Sequence, residues 1–188
     1  AALRDRRCRL TALDVRGNLA HLAEPPGGEL CRALVANAAL TELDGVKLDG
    51  ETVVNLAEHE QGVAHFELAW IGKQLGCTPS LLTLELPHAR IAGVNDDGSG
   101  LYSSWPCRTL ARCGLRAGCR LATLDLSRNR LGADGGAALF DALRAWGAGA
   151  TLEVLHLGGN DLLTATVGSN RARDDRAIVA LGRRRHTV

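Results

Sequence analysis

The sequence predicts an α/β solenoid, in which parallel strands form one curved sheet on the concave side and helices cover the convex side. Two observations predict this fold class. The segment 121–131 (LATLDLSRNRL) repeats its apolar and asparagine positions in the segment 152–162 (LEVLHLGGNDL), and the spacer between them is long enough for a helix. Hydrophobic residues make up 46% of the chain but aromatic residues only 3%, which suits a layered core of Leu, Val and Ala.

The spacing within each repeated segment explains how one unit folds. Leu124 and Leu126 alternate along a short strand, so both side chains point to one face of the sheet. Leu121 extends the same apolar layer, and Asn129 turns its amide towards backbone groups in the bend that follows the strand. We therefore assign structural roles to Leu121, Leu124, Leu126, Asn129, Leu152, Leu155, Leu157 and Asn160.

Both segments follow the pattern L-x-x-L-x-L-x-x-N-x-L, and with helix-length spacers the chain resembles leucine-rich repeat proteins of the ribonuclease-inhibitor type. The resemblance implies five clear units, with one possible degenerate unit, in a single domain over residues 1–188. A basic lead-in, residues 1–9, precedes the repeats, and a basic helix or tail, residues 171–188, follows them.

The earlier units match the pattern less completely. The unit starting at Leu10 keeps its asparagine as Asn18. The unit starting at Leu40 has Gly45 where a leucine is expected, and the unit starting at Leu81 has Ala in place of the asparagine. The long stretch before the fourth unit is assigned to a polar loop over 93–104.

Helices are predicted between these strands from helical spacing and capping residues. Asp134 is expected to be the N-cap of one of them, and another is expected to follow Pro106 and end near Gly114. The predicted helical ranges are 29–37, 52–59, 106–114, 134–146 and 174–181.

Residues 63–68 (VAHFEL) admit two interpretations. They have the apolar spacing of a degenerate repeat strand, which we favour slightly because Gly62 is a plausible break. They also fit the middle of one long helix over 52–75. The strand interpretation implies unusually short repeat units, which counts against it.

Stacking the units in register aligns the outward residues between the strand leucines into one column. These residues are Asp14, Asp44, Glu85, Asp125 and His156, and Glu67 joins them if residues 63–68 form a strand. Acidic side chains about 5 Å apart repel each other, so the column requires cationic partners. Arginines near the strand ends could supply them: Arg16, Arg90, Arg128 and Arg130.

Two interpretations of the column stay open. It could be a concave docking surface for a basic helix or tail of another protein, or only a solvated face of the kind common in such repeats. The predicted protein-binding set is Asp14, Asp44, Glu85, Asp125, His156, Arg16 and Arg128.

Catalytic chemistry is not indicated by the motifs. His59 and His65 are six residues apart, too far for the paired histidines of a zinc hydrolase helix, and no nucleophile or phosphate-loop motif occurs. We therefore predict no enzyme activity, no cofactor and no metal. The six cysteines contain no C-x-x-C, and we expect reduced structural thiols rather than a disulfide framework.

The predicted function is a non-catalytic protein–protein interaction module, an adaptor or accessory scaffold subunit of a larger assembly. The alternative, left open by the resemblance, is a regulatory protein that activates a small GTPase or selects substrates for a ubiquitin ligase. Other protein subunits are the expected partners. Nucleic acid is expected only through the basic C-terminal tail, because the net charge is +1.

The expected location is intracellular, either cytoplasmic or organellar with the mitochondrion included, and no apolar run has the length of a membrane span. The chain begins Ala-Ala and contains no Met. We therefore expect a processed chain, a fragment or an engineered chain that lacks its initiator.

Overall fold

The computed structural model describes residues 2–5, 7–18, 29–57, 63, 65–89, 91, 93–94, 102–103, 105–116, 118–147, 150–162 and 178–180. Over these ranges the chain is a mixed α/β protein with a parallel sheet and four α-helices. The helices are α1 (Glu29–Ala36), α2 (His65–Leu75), α3 (Trp105–Gly114) and α4 (Gly132–Trp146). None of the helices in these ranges has the length and hydrophobicity needed to cross a membrane.

The strands form one larger sheet and two small ones. The strands are β1 (Ala12–Leu13), β2 (Glu42–Leu43), β3 (Val46–Lys47), β4 (Val53–Asn55), β5 (Thr83–Glu85), β6 (Gly93–Val94), β7 (Tyr102–Ser103), β8 (Thr123–Asp125), β9 (Val154–His156) and β10 (Ile178–Ala180). The larger sheet has the order β10-β9-β8-β5-β4, and its strands from β4 to β9 are parallel. The chain therefore alternates between this sheet and the helices from β4 to β9.

The core lies between the sheet and the helices. The central residues of the four parallel strands, Val54, Leu84, Leu124 and Leu155, are partners in register, and all four are buried. Leu126 and Leu157, which follow β8 and β9, are also buried, as the alternation predicts. The helices pack on one another in chain order, α1 on α2, α2 on α3 and α3 on α4.

The structure corrects the prediction for residues 40–59. Val53–Asn55 is strand β4, so the helix predicted over 52–59 is wrong. Asp44 and Gly45, both with positive φ (53° and 82°), form the two-residue turn of the antiparallel β2–β3 hairpin. Asp-Gly suits this turn because both central residues need left-handed backbone. Asp44 therefore lies in a hairpin turn rather than in a strand of the larger sheet.

Residues 65–68 belong to helix α2, so the favoured strand interpretation of 63–68 is wrong. The long helix over 52–75 is also wrong, because β4 occupies its start. Both interpretations relied on the apolar spacing, which was a poor guide because α2 buries every residue from Phe66 to Ile71. Such a run shows neither the strand period nor the helix period. Glu67 is 4% exposed within this helix and does not join the column of outward residues.

Two further predictions concern helix ends. Helix α4 begins at Gly132 after Leu131 without a side-chain cap, so the N-cap predicted at Asp134 is wrong. Residues 178–180 form β10, antiparallel to β9, which contradicts the helix predicted over 174–181. The rest of that predicted helix, and of the basic tail 171–188, lies outside the described residues.

The helices predicted over 29–37 and 106–114 are confirmed within one residue at each end as α1 and α3. In the loop predicted over 93–104, β6 and β7 pair antiparallel. Residues 95–101 of that loop are outside the described part of the chain.

Candidate interaction surface

The side of the larger sheet that faces away from the core presents two rows of side chains, which we call the outward face. One row is Val53, Thr83, Thr123 and Val154, and the other is Asn55, Glu85, Asp125 and His156. Successive strands place these residues in unshifted register, so each row crosses four parallel strands. Val53 is 55% exposed, and the side chains of β5, β8 and β9 in both rows are partly exposed.

The predicted acidic column is therefore divided. Glu85, Asp125 and His156 are neighbours in the second row, and Asn55 takes the fourth place. Asp44 is 4% exposed, and its Oδ1 accepts a hydrogen bond from the Val15 N–H at 2.6 Å. The prediction that Asp44 is exposed is wrong, because its carboxylate is used to join the β2–β3 turn to the segment after β1.

The strand-end polar residues also stabilise the bends that follow them. The Oδ1 of Asp125 accepts the Ser127 N–H at 2.7 Å, and the Oδ1 of Asn55 accepts the Ala57 N–H at 2.8 Å. Such bonds to the residue two positions ahead fix the turn after the strand. The Nδ2 of Asn55 also donates to Glu85 Oε2. These residues therefore have structural roles whether or not a partner binds them.

Asp14 directly follows β1, a strand of the β1-β2-β3 sheet, and its side chain pairs with Arg16. Its carboxylate receives the Arg16 backbone N–H at 3.0 Å and forms an ion pair with the Arg16 guanidinium at 2.5 Å. Hydrogen bonds from Arg16 lower the pKa of Asp14 to about 2. Arg16 is thus the internal cation for Asp14, and the pair lies outside the outward face.

Arg128 lies in the turn after β8, where its φ is 58°, and its Nη1 is 3.2 Å from Nε2 of His88. His88 (φ 57°) and Gly159 (φ 71°) occupy the equivalent positions after β5 and β9. Arg128 therefore lies in the turn at the end of β8, next to the histidine of the neighbouring turn. Arg130 also has a left-handed backbone, and Arg90 lies outside the described residues.

The two motif asparagines bond backbone groups of the preceding unit. The Nδ2 of Asn129 donates to the Leu86 carbonyl at 2.6 Å, and its Oδ1 accepts the Ile91 N–H at 3.4 Å. Asn160 repeats this arrangement, donating to the Leu126 carbonyl at 2.7 Å and accepting the Asn129 N–H at 2.8 Å. Both asparagines are 1% exposed, so these bonds pair backbone groups that water does not reach.

The cysteines are free thiols, and the buried ones are poor nucleophiles. Burial raises the pKa of Cys107 to about 12, and its Sγ bonds the Gly135 carbonyl at 3.4 Å. Burial also raises the pKa of Cys119. Because the thiolate is the reactive form, neither sulfur is activated for nucleophilic attack. Among the described residues, no group of three or more His, Cys, Asp or Glu side chains could hold a metal ion.

Sequence reasoning missed Asn55 as a member of the outward face. The available signal was its place between Val54 and Leu56, which copies the place of Asp125 between two leucines. Val54 replaces the expected leucine, and this weakened the match to the repeat pattern.

A family model described as Leucine Rich repeat matches residues 121–140, which contain β8 and the first part of α4. The match therefore covers one strand and the start of its following helix. The match supports the interpretation of the chain as a leucine-rich repeat protein. The parallel sheet and its helices are compatible with that class. Leucine-rich repeat domains commonly mediate protein–protein interaction. Comparisons with curated proteins and with solved structures found no match.

Proposed function

We propose that this chain is a non-catalytic protein-interaction module, acting as an adaptor or accessory scaffold subunit of a larger assembly. The observation that carries the proposal is the outward face, where four parallel strands present two aligned rows of side chains. At the usual strand spacing these rows extend about 14 Å, enough to contact between two and three turns of a helix or about four residues of an extended segment. A solenoid of the ribonuclease-inhibitor type is part of the proposal, supported by the repeated strand–helix order from β4 to β9.

The chemistry of the outward face favours a partner segment with a basic side chain beside an apolar one. Glu85 and Asp125 are adjacent in register at the centre of the polar row, and Val53 supplies an exposed apolar contact at one side. A lysine or arginine placed between the two carboxylates would relieve their mutual repulsion. Asp14 and Asp44 are no longer candidates for this contact, since one is paired with Arg16 and the other is buried.

The absence of catalysis is also part of the proposal. The raised pKa values of Cys107 and Cys119 support it, because these thiols stay protonated at neutral pH. The intracellular location, the membership of a large complex and nucleic-acid contact through the basic tail remain predictions from the sequence.

A matched pair of double variants tests the proposal. In the first, Glu85→Lys with Asp125→Asn changes the charge of the outward face, and asparagine keeps an oxygen for the Ser127 N–H. In the control, Glu51→Lys with Asp49→Asn makes the same charge change at exposed residues before β4. Each tagged protein is used for affinity purification from the source cell, and the association rates of the recovered partners are then measured.

We expect the control variant to keep the partners of the wild-type protein and the outward-face variant to lose them or bind them more slowly, because charges at an interface act on encounter. Equal retention by both folded variants would place the interaction elsewhere and contradict the proposal. The identity of the partners also separates the alternatives, since a small GTPase or ubiquitin-ligase subunits would indicate the regulatory class.

A further inference from the structure

Helices α3 and α4 pack side by side and leave a groove of about 660 Å³ between them on the helical side of the protein. Arg108 and Arg112 line it from α3, and Arg116 lines it just beyond the end of that helix. Asp141 and Trp146 line it from α4. None of these residues belongs to the outward face, so the groove is a separate surface.

The groove is positively charged. All three arginines are exposed, and within the described part of the chain none of them forms an ion pair. Asp141 is the acidic residue among those that line the groove, and its Oδ1 already accepts a hydrogen bond from Arg144 at 3.0 Å. Among the described residues that line the groove, three arginines therefore accompany one carboxylate, which Arg144 already engages.

Trp146 is the aromatic residue among the described residues that line the groove. Its side chain lies among the core residues, the residue is 7% exposed, and its buried Nε1 has no hydrogen-bond partner among the described residues. Because Trp146 lines the groove, its indole group can report on an occupant of the groove.

The groove also has walls of small side chains. Ala137, Ala138 and Ala142 line it from α4 and are at least partly exposed, so a partner backbone can approach α4 closely. Arg108 and Arg112 are four residues apart, which places them about 6 Å apart along the helix axis. Carboxylates four residues apart on a second helix have the same spacing.

We propose that this groove binds an acidic α-helical segment of a partner protein. Glutamate or aspartate side chains one turn apart on that segment pair with Arg108, Arg112 and Arg116. The alanines accommodate the small-residue side of the segment. This binding mode goes beyond the proposed function, because it uses the helical side and an acidic partner, whereas the outward face suits a basic one.

A synthetic peptide tests the proposal with the full chain. The probe is a helix-forming alanine-rich peptide of about 15 residues with three glutamates spaced four apart. A second peptide has the same composition with the glutamates distributed around the helix, and inorganic phosphate serves as a small anion. Affinity is measured by fluorescence anisotropy of the labelled peptides. The indole N–H signals of the protein are followed by nuclear magnetic resonance and assigned with Trp146→Phe.

The variants separate the groove from net charge and from simple anion binding. Arg108→Glu with Arg112→Glu reverses the charge of the groove, and Arg7→Glu with Arg120→Glu makes the same change at exposed arginines elsewhere. Ala145→Gln places a longer uncharged side chain at an exposed alanine that lines the groove. Melting curves by circular dichroism establish that each variant is folded.

We expect the patterned peptide to shift the Trp146 indole signal and to bind at least about tenfold more weakly to the groove double variant, whereas the control double variant changes affinity by less than about twofold. Ala145→Gln should weaken the peptide without affecting phosphate. Equal losses in both double variants, an unmoved Trp146 signal, or equal binding of the two peptides would overturn the proposal. Competition by phosphate at the peptide's own concentration would show a small-anion site instead. These results do not depend on Glu85 or Asp125, so this proposal can fail while the proposed function stands.

Discussion

Replacement of Asn129 by alanine is the sharpest test of how neighbouring units are held together. The side chain is 1% exposed and bonds the Leu86 carbonyl and the Ile91 N–H of the preceding unit. Alanine removes both partners without adding bulk or charge. Asn18→Ala is the matched control, because Asn18 holds the same motif position but is exposed, and among the described residues its side chain bonds the carbonyls of Val15 and Arg16.

The magnitude follows from the groups that lose their partners. A buried backbone group left without a hydrogen bond costs about 1–3 kcal/mol, and Asn129→Ala leaves two such groups. The longer bond to Ile91, at 3.4 Å, contributes the smaller part. We therefore expect a loss of about 2–4 kcal/mol in the free energy of unfolding. Asn18→Ala should cost less than about 0.5 kcal/mol, since water replaces its bonds.

The assay is urea unfolding of the wild-type protein and both variants, followed by circular dichroism and extrapolated linearly to water. The informative quantity is the difference between the two variants, because both lose the same atoms. A difference below about 1 kcal/mol, with unchanged slopes, would refute the conclusion that Asn129 stabilises the boundary between units.

Three further predictions concern the core, a thiol and a surface ion pair. Leu155→Ala should lower the free energy of unfolding by about 2–5 kcal/mol, and a cost below about 1 kcal/mol would contradict its place in the core. Cys107, which is buried and has a pKa of about 12, should react with iodoacetamide in the native protein far more slowly than exposed Cys77, as mass spectrometry can measure; equal rates would contradict its burial. The pKa of Asp14 is lowered from 3.8 to about 2, so its ionised form stabilises the fold above pH 3.8 and this contribution disappears as the pH falls towards 2. Asp14→Asn should therefore reduce the dependence of the urea midpoint on pH in that window, and an unchanged dependence would show that the ion pair with Arg16 does not contribute.

The sequence predicted the parts of the fold in which local pattern and tertiary role agree. Leu124 and Leu155 were placed correctly because strict alternation leaves one face for the core. Residues 40–59 were not, because the Asp44-Gly45 hairpin interrupts the repeat and the β4 segment has Val54 and His59 at the leucine and asparagine positions of the pattern. The Asp-Gly pair between Leu43 and Val46 was the available hairpin signal.

The candidate sites were less predictable, since they depend on distances between units. Asp44 and Asp125 hold the same place in the repeat pattern, yet one is buried in a turn and the other lies on the outward face. The groove between α3 and α4 depends on how the two consecutive helices pack and on which side chains line the space between them, which no local pattern gives. The sequence contains the four-residue spacing of Arg108, Arg112 and Arg116, but this spacing does not show which helix lies beside them.

The side-chain hydrogen bonds of Asn129 and Asn160 both run from a later unit to the unit before it in the sequence. Asn160 bonds buried backbone groups of the unit that contains Asn129, and Asn129 bonds those of the unit that contains Leu86. Through these bonds, each of these two earlier units depends on the unit that follows it in the sequence. Truncation should therefore be asymmetric. Removing the segment that carries Asn160 leaves buried groups of the preceding unit without partners, whereas removing residues before Leu81 breaks none of these bonds. A shorter folded piece is more readily obtained by trimming from the amino-terminal side.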